Sequence, residues 1–220
     1  MILIIIIIRQ IIIITSIVWN DKIKVNLKKE DNDNNSNNKN AFTVLFDGKS
    51  LDGWKMAGKG KFTVMKNEKA LLSDGGMGLL WYTKKKYNDF ILRLEWRVIH
   101  KDDNSGVFVR FPDPGNDPQV AVNDGYEIQI DDLGKPDDDG IHKTGAIYNF
   151  AAPSKIVSKP VGQWNDLEIK VIKQNYIVII NQQKITEFIG NKSLNGYVGL
   201  QNHDAKSKVS FRNIRIKEVI

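Results

Sequence analysis

The sequence predicts an all-β protein, a jelly-roll β-sandwich of two antiparallel sheets, and three observations carry that expectation. About a dozen short apolar or alternating runs follow one another from Phe42 to Lys217. Clusters of Asp, Gly, Asn and Lys punctuate them. No stretch of the domain repeats its apolar residues with a helical period, so strands joined by turns are the economical solution.

The elements follow in order. Met1 to Val18 is almost pure Ile, broken by Arg9-Gln10, and its length suits a secretory h-region or a marginal membrane span. A basic start and a small-x-small cleavage site are both missing, so signal peptide, uncleaved anchor and misassigned start codon stay open for residues 1–19. Residues 20–40 form an Asn-, Lys- and Asp-rich tract with too little apolar content to order itself, expected to be a disordered linker. The domain is expected over 41–220. It opens with the strand Phe42 to Phe46, the turn Asp47-Gly48, and Leu51-Asp52-Gly53-Trp54. Strand-like runs follow at 62–65, 70–72, 78–82 and 90–99, and after the centre at 164–173, 176–180, 184–188, 196–201 and 209–217. Gln174-Asn175 and Asn181-Gln182-Gln183 read as hairpin turns, because Asn tolerates the positive φ of a tight reversal. Pro112 to Asn123, with three prolines, reads as a long loop over one end or face of a sheet.

The centre holds three strands with polar marks, Asn104 to Arg110, Gly125 to Asp131 and Thr144 to Tyr148. Side chains alternate across a strand, so Val107, Val109 and Phe111 are expected on one face and Phe108 and Arg110 on the other. Tyr126, Ile128 and Ile130 oppose Glu127, Gln129 and Asp131 in the same way. Extended to neighbouring strands, the parity collects Arg97, Arg110, Glu127, Gln129, Tyr148, Gln201 and His203 on one polar face. Planar amides, an aromatic ring and ionisable groups suit a polyhydroxylated ligand. Each has a bland alternative: Glu127 as a cross-strand ion pair, His203 as a solvated turn residue, His100 as a packing residue, and Trp54 and Trp164 as anchors.

Composition excludes several classes. The 220 residues include no Cys, which removes thiolate nucleophiles, disulfides and Cys-based metal sites. The net charge of +6 comes from scattered Lys residues, not a stripe matched to a phosphate backbone, so no nucleic-acid partner is expected. Phosphate-loop, Gly-x-Ser-x-Gly and His-Glu-x-x-His motifs are absent. The acidic run Asp131-Asp132 with Asp137-Asp138-Asp139 invites a divalent metal such as calcium, but it lacks EF-hand spacing and reads first as a solvated loop.

Read together, Leu45-Phe46-Asp47-Gly48-Lys49-Ser50-Leu51-Asp52-Gly53-Trp54, the three central strands, Gly162-Gln163-Trp164-Asn165, Gly196 to His203 and Phe211 to Ile216 resemble the 3-keto-disaccharide hydrolase family. The resemblance spans Phe42 to Val219. It implies a concanavalin-like jelly roll that cleaves oxidised sugars, with a 3-keto-carbohydrate as substrate. A ketone at C3 acidifies the C2 hydrogen, so the implied chemistry is proton abstraction, loss of the C1 substituent and hydration. On that reading Glu127 and His203 are the acid-base groups and Arg110 or Arg97 steadies the oxyanion. Gln129, Tyr148, Gln201, Lys143 and His142 would bind substrate. A non-catalytic lectin-like module using the same groove is the rival, and a purely structural adhesion domain the third reading. Location outside the cytoplasm, with membrane contact only through the N-terminal segment, completes the expectations.

Overall fold

The computed structural model describes residues 41–135 and 138–219. The expected signal or anchor over 1–19 and linker over 20–40 lie outside the described residues. Among the described residues no helix is long and apolar enough to cross a membrane.

Two antiparallel sheets form the domain. The strands are β1 (Thr43–Val44), β2 (Trp54–Gly58), β3 (Lys61–Met65), β4 (Ala70–Asp74), β5 (Gly78–Tyr82), β6 (Phe90–Val98) and β7 (Ser105–Phe111). After a short helix, α1 (Gln119–Asp124), come β8 (Tyr126–Ile130), β9 (Asn165–Ile172), β10 (Asn175–Ile180), β11 (Gln183–Ile189), β12 (Tyr197–Asn202) and β13 (Val209–Glu218). The larger sheet runs β11-β10-β9-β6-β13-β4-β3 with β1 added to β13, and the smaller runs β2-β5-β12-β7-β8.

Alternation builds the core. In β6, Phe90, Leu92, Leu94 and Trp96 are buried while Ile91, Arg93, Glu95 and Arg97 are only partly covered. Tyr126, Ile128 and Ile130 of β8 and Leu167, Ile169 and Val171 of β9 meet them between the sheets. Each such side chain contributes about 1.5–3 kcal/mol on leaving water. The Trp54 indole N–H also donates to Leu45 O at 2.8 Å, an anchoring role as expected from sequence.

Local geometry departs from the simple pattern in three places. The β9–β10 turn falls at Lys173-Gln174, one residue earlier than expected, with Lys173 at φ 50° and Asn175 already paired with Ile172. The β10–β11 turn is Asn181-Gln182, φ 48° and 65°, the double left-handed geometry that matches strand twist. The third departure is larger. A bulge in β7 pairs Tyr197 with Phe111 but Val198 with Val109, leaving Arg110 extra at φ 58°. Gly196 permits it, since a Cβ there would stand 2.3 Å from the Arg110 carbonyl carbon.

The bulge overturns the parity read for Arg110 and Phe111. Phe111 joins Phe108 on the outer face, and Arg110 is fully buried at the other side of the strand. Its Nε and Nη2 donate to Asn88 O at 3.1 and 2.6 Å, Nη1 to Lys173 O and to Tyr176 Oη, and Nη2 reaches Asp89 at 3.1 Å. Every donor group of this guanidinium is occupied by the frame.

Candidate active site

The outer face of the smaller sheet carries two surfaces. Ala57, Leu79, Trp81, Phe108, Phe111 and Ala121 form an apolar cluster, the last contributed by α1. Residues 112–123, expected as a loop, lie with Asp124 as a strap across that cluster. Gly58 N donates to both Asn116 O and Asn116 Oδ1, at 3.0 and 3.1 Å, and Ala121 of the short helix is completely covered. The strap closes the apolar half; the polar half continues from it.

Register fixes the polar half. Gly106 pairs with Gln129, Phe108 with Glu127, Gly199 with both Trp81 and Phe108, and Gln201 with Leu79. Continuing the β12–β7 register sets Gln201 opposite Gly106 and His203 opposite Asn104. That register sets Glu127, Gln129, Gln201 and His203 on one face of the sheet. Gly106 shapes its centre: a Cβ on it would lie 2.1 Å from Glu127 Oε1 and 2.8 Å from Cδ, so the carboxyl is folded down over this glycine. Strand spacing of about 4.8 Å and a rise of about 3.3 Å per residue then put Gly106 roughly 8 Å from the His203 Cα.

Glu127 is 6% exposed. Burial pushes its carboxyl up to about 8, with no charged neighbour contributing. The cross-strand ion pair with Arg110 is not formed, because the bulge aims Arg110 away. The Gln129 amide, oriented with its nitrogen toward the acceptors around it, donates to Glu127 Oε1 and to Ser105 O, both at 3.2 Å. Tyr148 N donates to Glu127 O at 3.0 Å. Burial first, then the nearby charges of Glu127 and Asp131, raise the Tyr148 phenol, which stays a neutral donor.

A cavity of about 650 Å³ opens beside this row, lined by His100, Asn104, Asp131, Lys135, Tyr148, His203 and Asp204 among others. His203 Nδ1 lies 2.8 Å from Asp204 Oδ2. Burial would raise the Asp204 carboxyl, but hydrogen bonds from His203, Ser207 and Lys206 outweigh it and hold it far below the usual range. An ionised Asp204 accepts the Nδ1 proton, which leaves Nε2 as the imidazole's free nitrogen.

Other expected residues stand elsewhere. Arg97 is on the outer face of the larger sheet, with Nη2 2.6 Å from Glu68 and its guanidinium 4.6 Å above Trp164, whose ring Arg212 also covers at 4.0 Å. Parity read strand by strand cannot tell which sheet a strand joins. His142 supports Tyr148 from outside the cavity, its ring 4.8 Å away and its Nε2 2.8 Å from Asn149 Oδ1. Lys143 is bound to Asp138 at 2.5 Å. His100, read as a packing residue, is 60% exposed at its side chain and lines the cavity instead. Within the acidic run, Asp131 accepts from the backbone of Leu133, Gly134 and Lys135 and from Asn104, so it organises the loop. Asp137 lies outside the described residues, and among the described residues no three His, Asp or Glu side chains converge on a metal position.

Sequence reasoning missed Asn104, Gly106 and Asp204. Gly106 carried a usable signal, since a glycine inside a strand marks close approach by another group.

The fold is a jelly-roll sandwich with a buried carboxyl and an Asp-supported imidazole on one sheet, and the comparisons make the protein glycoside-hydrolase-type at family level. Residues 41–217 match the family model of the 3-keto-alpha-glucoside-1,2-lyase-like domain, and the chain belongs to that family. It is 25% identical over 234 aligned positions to the 3-keto-disaccharide hydrolase of Bacteroides thetaiotaomicron, covering 80% of this chain and 78% of that one. A crystal structure from Parabacteroides distasonis, of a protein assigned as a glycosyl hydrolase, superposes with a TM-score of 0.66 at 26% identity, over 82% of this chain and all of that one. The carbohydrate-binding module CBM66 of Bacillus subtilis shares the fold, with a TM-score of 0.54 at 14% identity over 76% and 96% of the two chains.

Proposed function

We propose that this protein cleaves 3-keto-glycosides by elimination across C1 and C2 followed by hydration. The observation that carries the reading is the Glu127 carboxyl, buried over Gly106 without a cation, on a sheet face where register puts Gly106 roughly 8 Å from the His203 Cα. A lectin gains nothing from a carboxyl held in this state, whereas a proton-transfer group does.

In this mechanism the Glu127 carboxylate takes the C2 proton, and the electron pair becomes the C2–C3 enolate, with negative charge on the C3 oxygen. The neutral Tyr148 hydroxyl donates to that oxygen. Collapse of the enolate restores the ketone, forms the C1–C2 double bond and breaks the C1–O bond. Glu127 passes the proton it took from C2 to the departing oxygen. Water then adds at C1, giving its proton to the free Nε2 of His203, held by Asp204, which passes it on to C2. Both side chains finish as they began; release before hydration would make the reaction a lyase. Relatives named for 3-keto-disaccharide hydrolysis and for 1,2-lyase chemistry support both halves. Neither Arg110 nor Arg97 takes part. The apolar run before the domain supports placement outside the cytoplasm.

The test is turnover of a 3-keto-disaccharide against its unoxidised parent by the full-length protein, followed from pH 6 to 9.5. Because a base needs the ionised form and Glu127 titrates near 8, kcat/KM should rise about tenfold from pH 7 to 9, as the carboxylate fraction grows from about a tenth to about nine tenths. Activity on the keto form alone with that profile, abolished in Glu127→Gln, is the expected result. Binding of both sugars with turnover of neither would leave a carbohydrate-binding module.

A further inference from the structure

Gln201 is 8% exposed, and its Oε1 is buried with no hydrogen-bond partner. An unpartnered buried amide oxygen costs about 1–3 kcal/mol, so its retention calls for a ligand. Its place supplies one. Continuing the β12–β7 register one step past Leu200 and Val107 sets Gln201 across from Gly106, the glycine under the Glu127 carboxyl, while Gln129 flanks the same carboxyl from β8. Gln129 spends its amide on Glu127 and Ser105; Gln201 Oε1 spends nothing on the protein. Its backbone is meanwhile fixed, since Ser105 Oγ donates to Gln201 O at 2.6 Å and holds the strand in register. Among the described residues Trp81 Nε1 is another unpartnered buried atom of the smaller sheet, but the ring packs edge-on against Tyr197, 4.7 Å away, beneath the strap.

The geometry points to Gln201 as the residue that selects for a free hydroxyl on the carbon Glu127 deprotonates: Oε1 accepts the hydrogen bond of the C2 hydroxyl while the carboxylate faces the C2 hydrogen. The distances agree. Gly106 of β7, over which the carboxyl from β8 lies, is about 4.8 Å from Gln201 on the adjacent β12. That spacing suits two acceptors engaging the hydrogen and the hydroxyl of one tetrahedral carbon. The substrate class is therefore a 3-keto-glycoside with an unsubstituted 2-hydroxyl, and the 2-deoxy analogue is a poor substrate. This rests on the proposed elimination; Gln201 acts by positioning and takes no proton.

The experiment compares a 3-keto-glucoside with its 2-deoxy analogue in the wild-type protein, Gln201→Leu and Gln201→Met. The wild type should prefer the hydroxylated substrate by about 10- to 100-fold in kcat/KM, the fold-change that corresponds to one buried acceptor left without its hydrogen bond. Both variants should lose that preference to within about threefold. A purely structural role would slow both substrates alike, and either that result or an unchanged preference overturns the assignment. Calorimetric binding of the same pair to Glu127→Gln protein, with and without Gln201→Leu, separates the two readings. Equal binding of the pair to Glu127→Gln protein refutes the hydroxyl contact even where no keto-sugar is turned over, whereas selective binding that Gln201→Leu abolishes sustains it.

Discussion

Replacing Gly106 with Ala isolates the placement of the Glu127 carboxyl. The backbone accepts the change, since Gly106 is not among the residues at positive φ. Removing a strand glycine by itself stabilises by about 0.5–1 kcal/mol. The new methyl, however, would stand 2.1 Å from Glu127 Oε1, against an ordinary contact of 3.4 Å or more, so the carboxyl must retreat by about 1.3 Å. A displacement of about 1 Å at a reacting group costs about 100-fold in rate. The expected outcome is a kcat on a 3-keto-glycoside lowered about 100-fold, with a melting temperature within a few degrees of wild type. Steady-state kinetics and thermal unfolding on the same preparation decide it. Wild-type turnover in a folded Gly106→Ala protein would refute the argument that this glycine exists to seat the carboxyl.

Two further outcomes follow from the same structure. The folded Glu127 pKa near 8 exceeds its ordinary value of 4.5, so its contribution to stability is fully present below about 4.5 and is lost as pH rises toward 8. Glu127→Gln should therefore be more stable than wild type at pH 8.5, by about 3–5 kcal/mol, with little advantage at pH 5; denaturant titrations at the two pH values measure this. Arg110→Met should destabilise by about 3–5 kcal/mol, because Asp89 and the carbonyls of Asn88 and Lys173 lose their donor, while activity per folded molecule changes little. Chemical denaturation paired with active-site-normalised rates checks it, and a specific loss of kcat would return Arg110 to the chemistry.

Much of this was legible in the chain itself. Period-two alternation made Tyr126, Ile128 and Ile130 core residues and put Glu127 and Gln129 opposite them, because successive side chains of a strand must diverge. Asn181-Gln182 announced its turn through the φ that Asn accepts. The joint order of motifs from Leu45 to Ile216 pointed to the family that the match over 41–217 shows.

Tertiary structure decided the rest. Alternation is a property of one strand, so it could not say that β6, carrying Arg97, joins the larger sheet while β7, β8 and β12 form the smaller. It also fails at a bulge: one extra residue turned Arg110 into the frame and Phe111 outward, and what permits it is Gly196, just before β12 and 86 positions away. The pairing of Gly106 with the Glu127 carboxyl, of Asp204 with His203 and of the strap with the apolar half of the sheet are contacts between elements. A sequence lists the residues that can transfer protons; packing sets which carboxyl is desolvated and which is tied down, and so which can react.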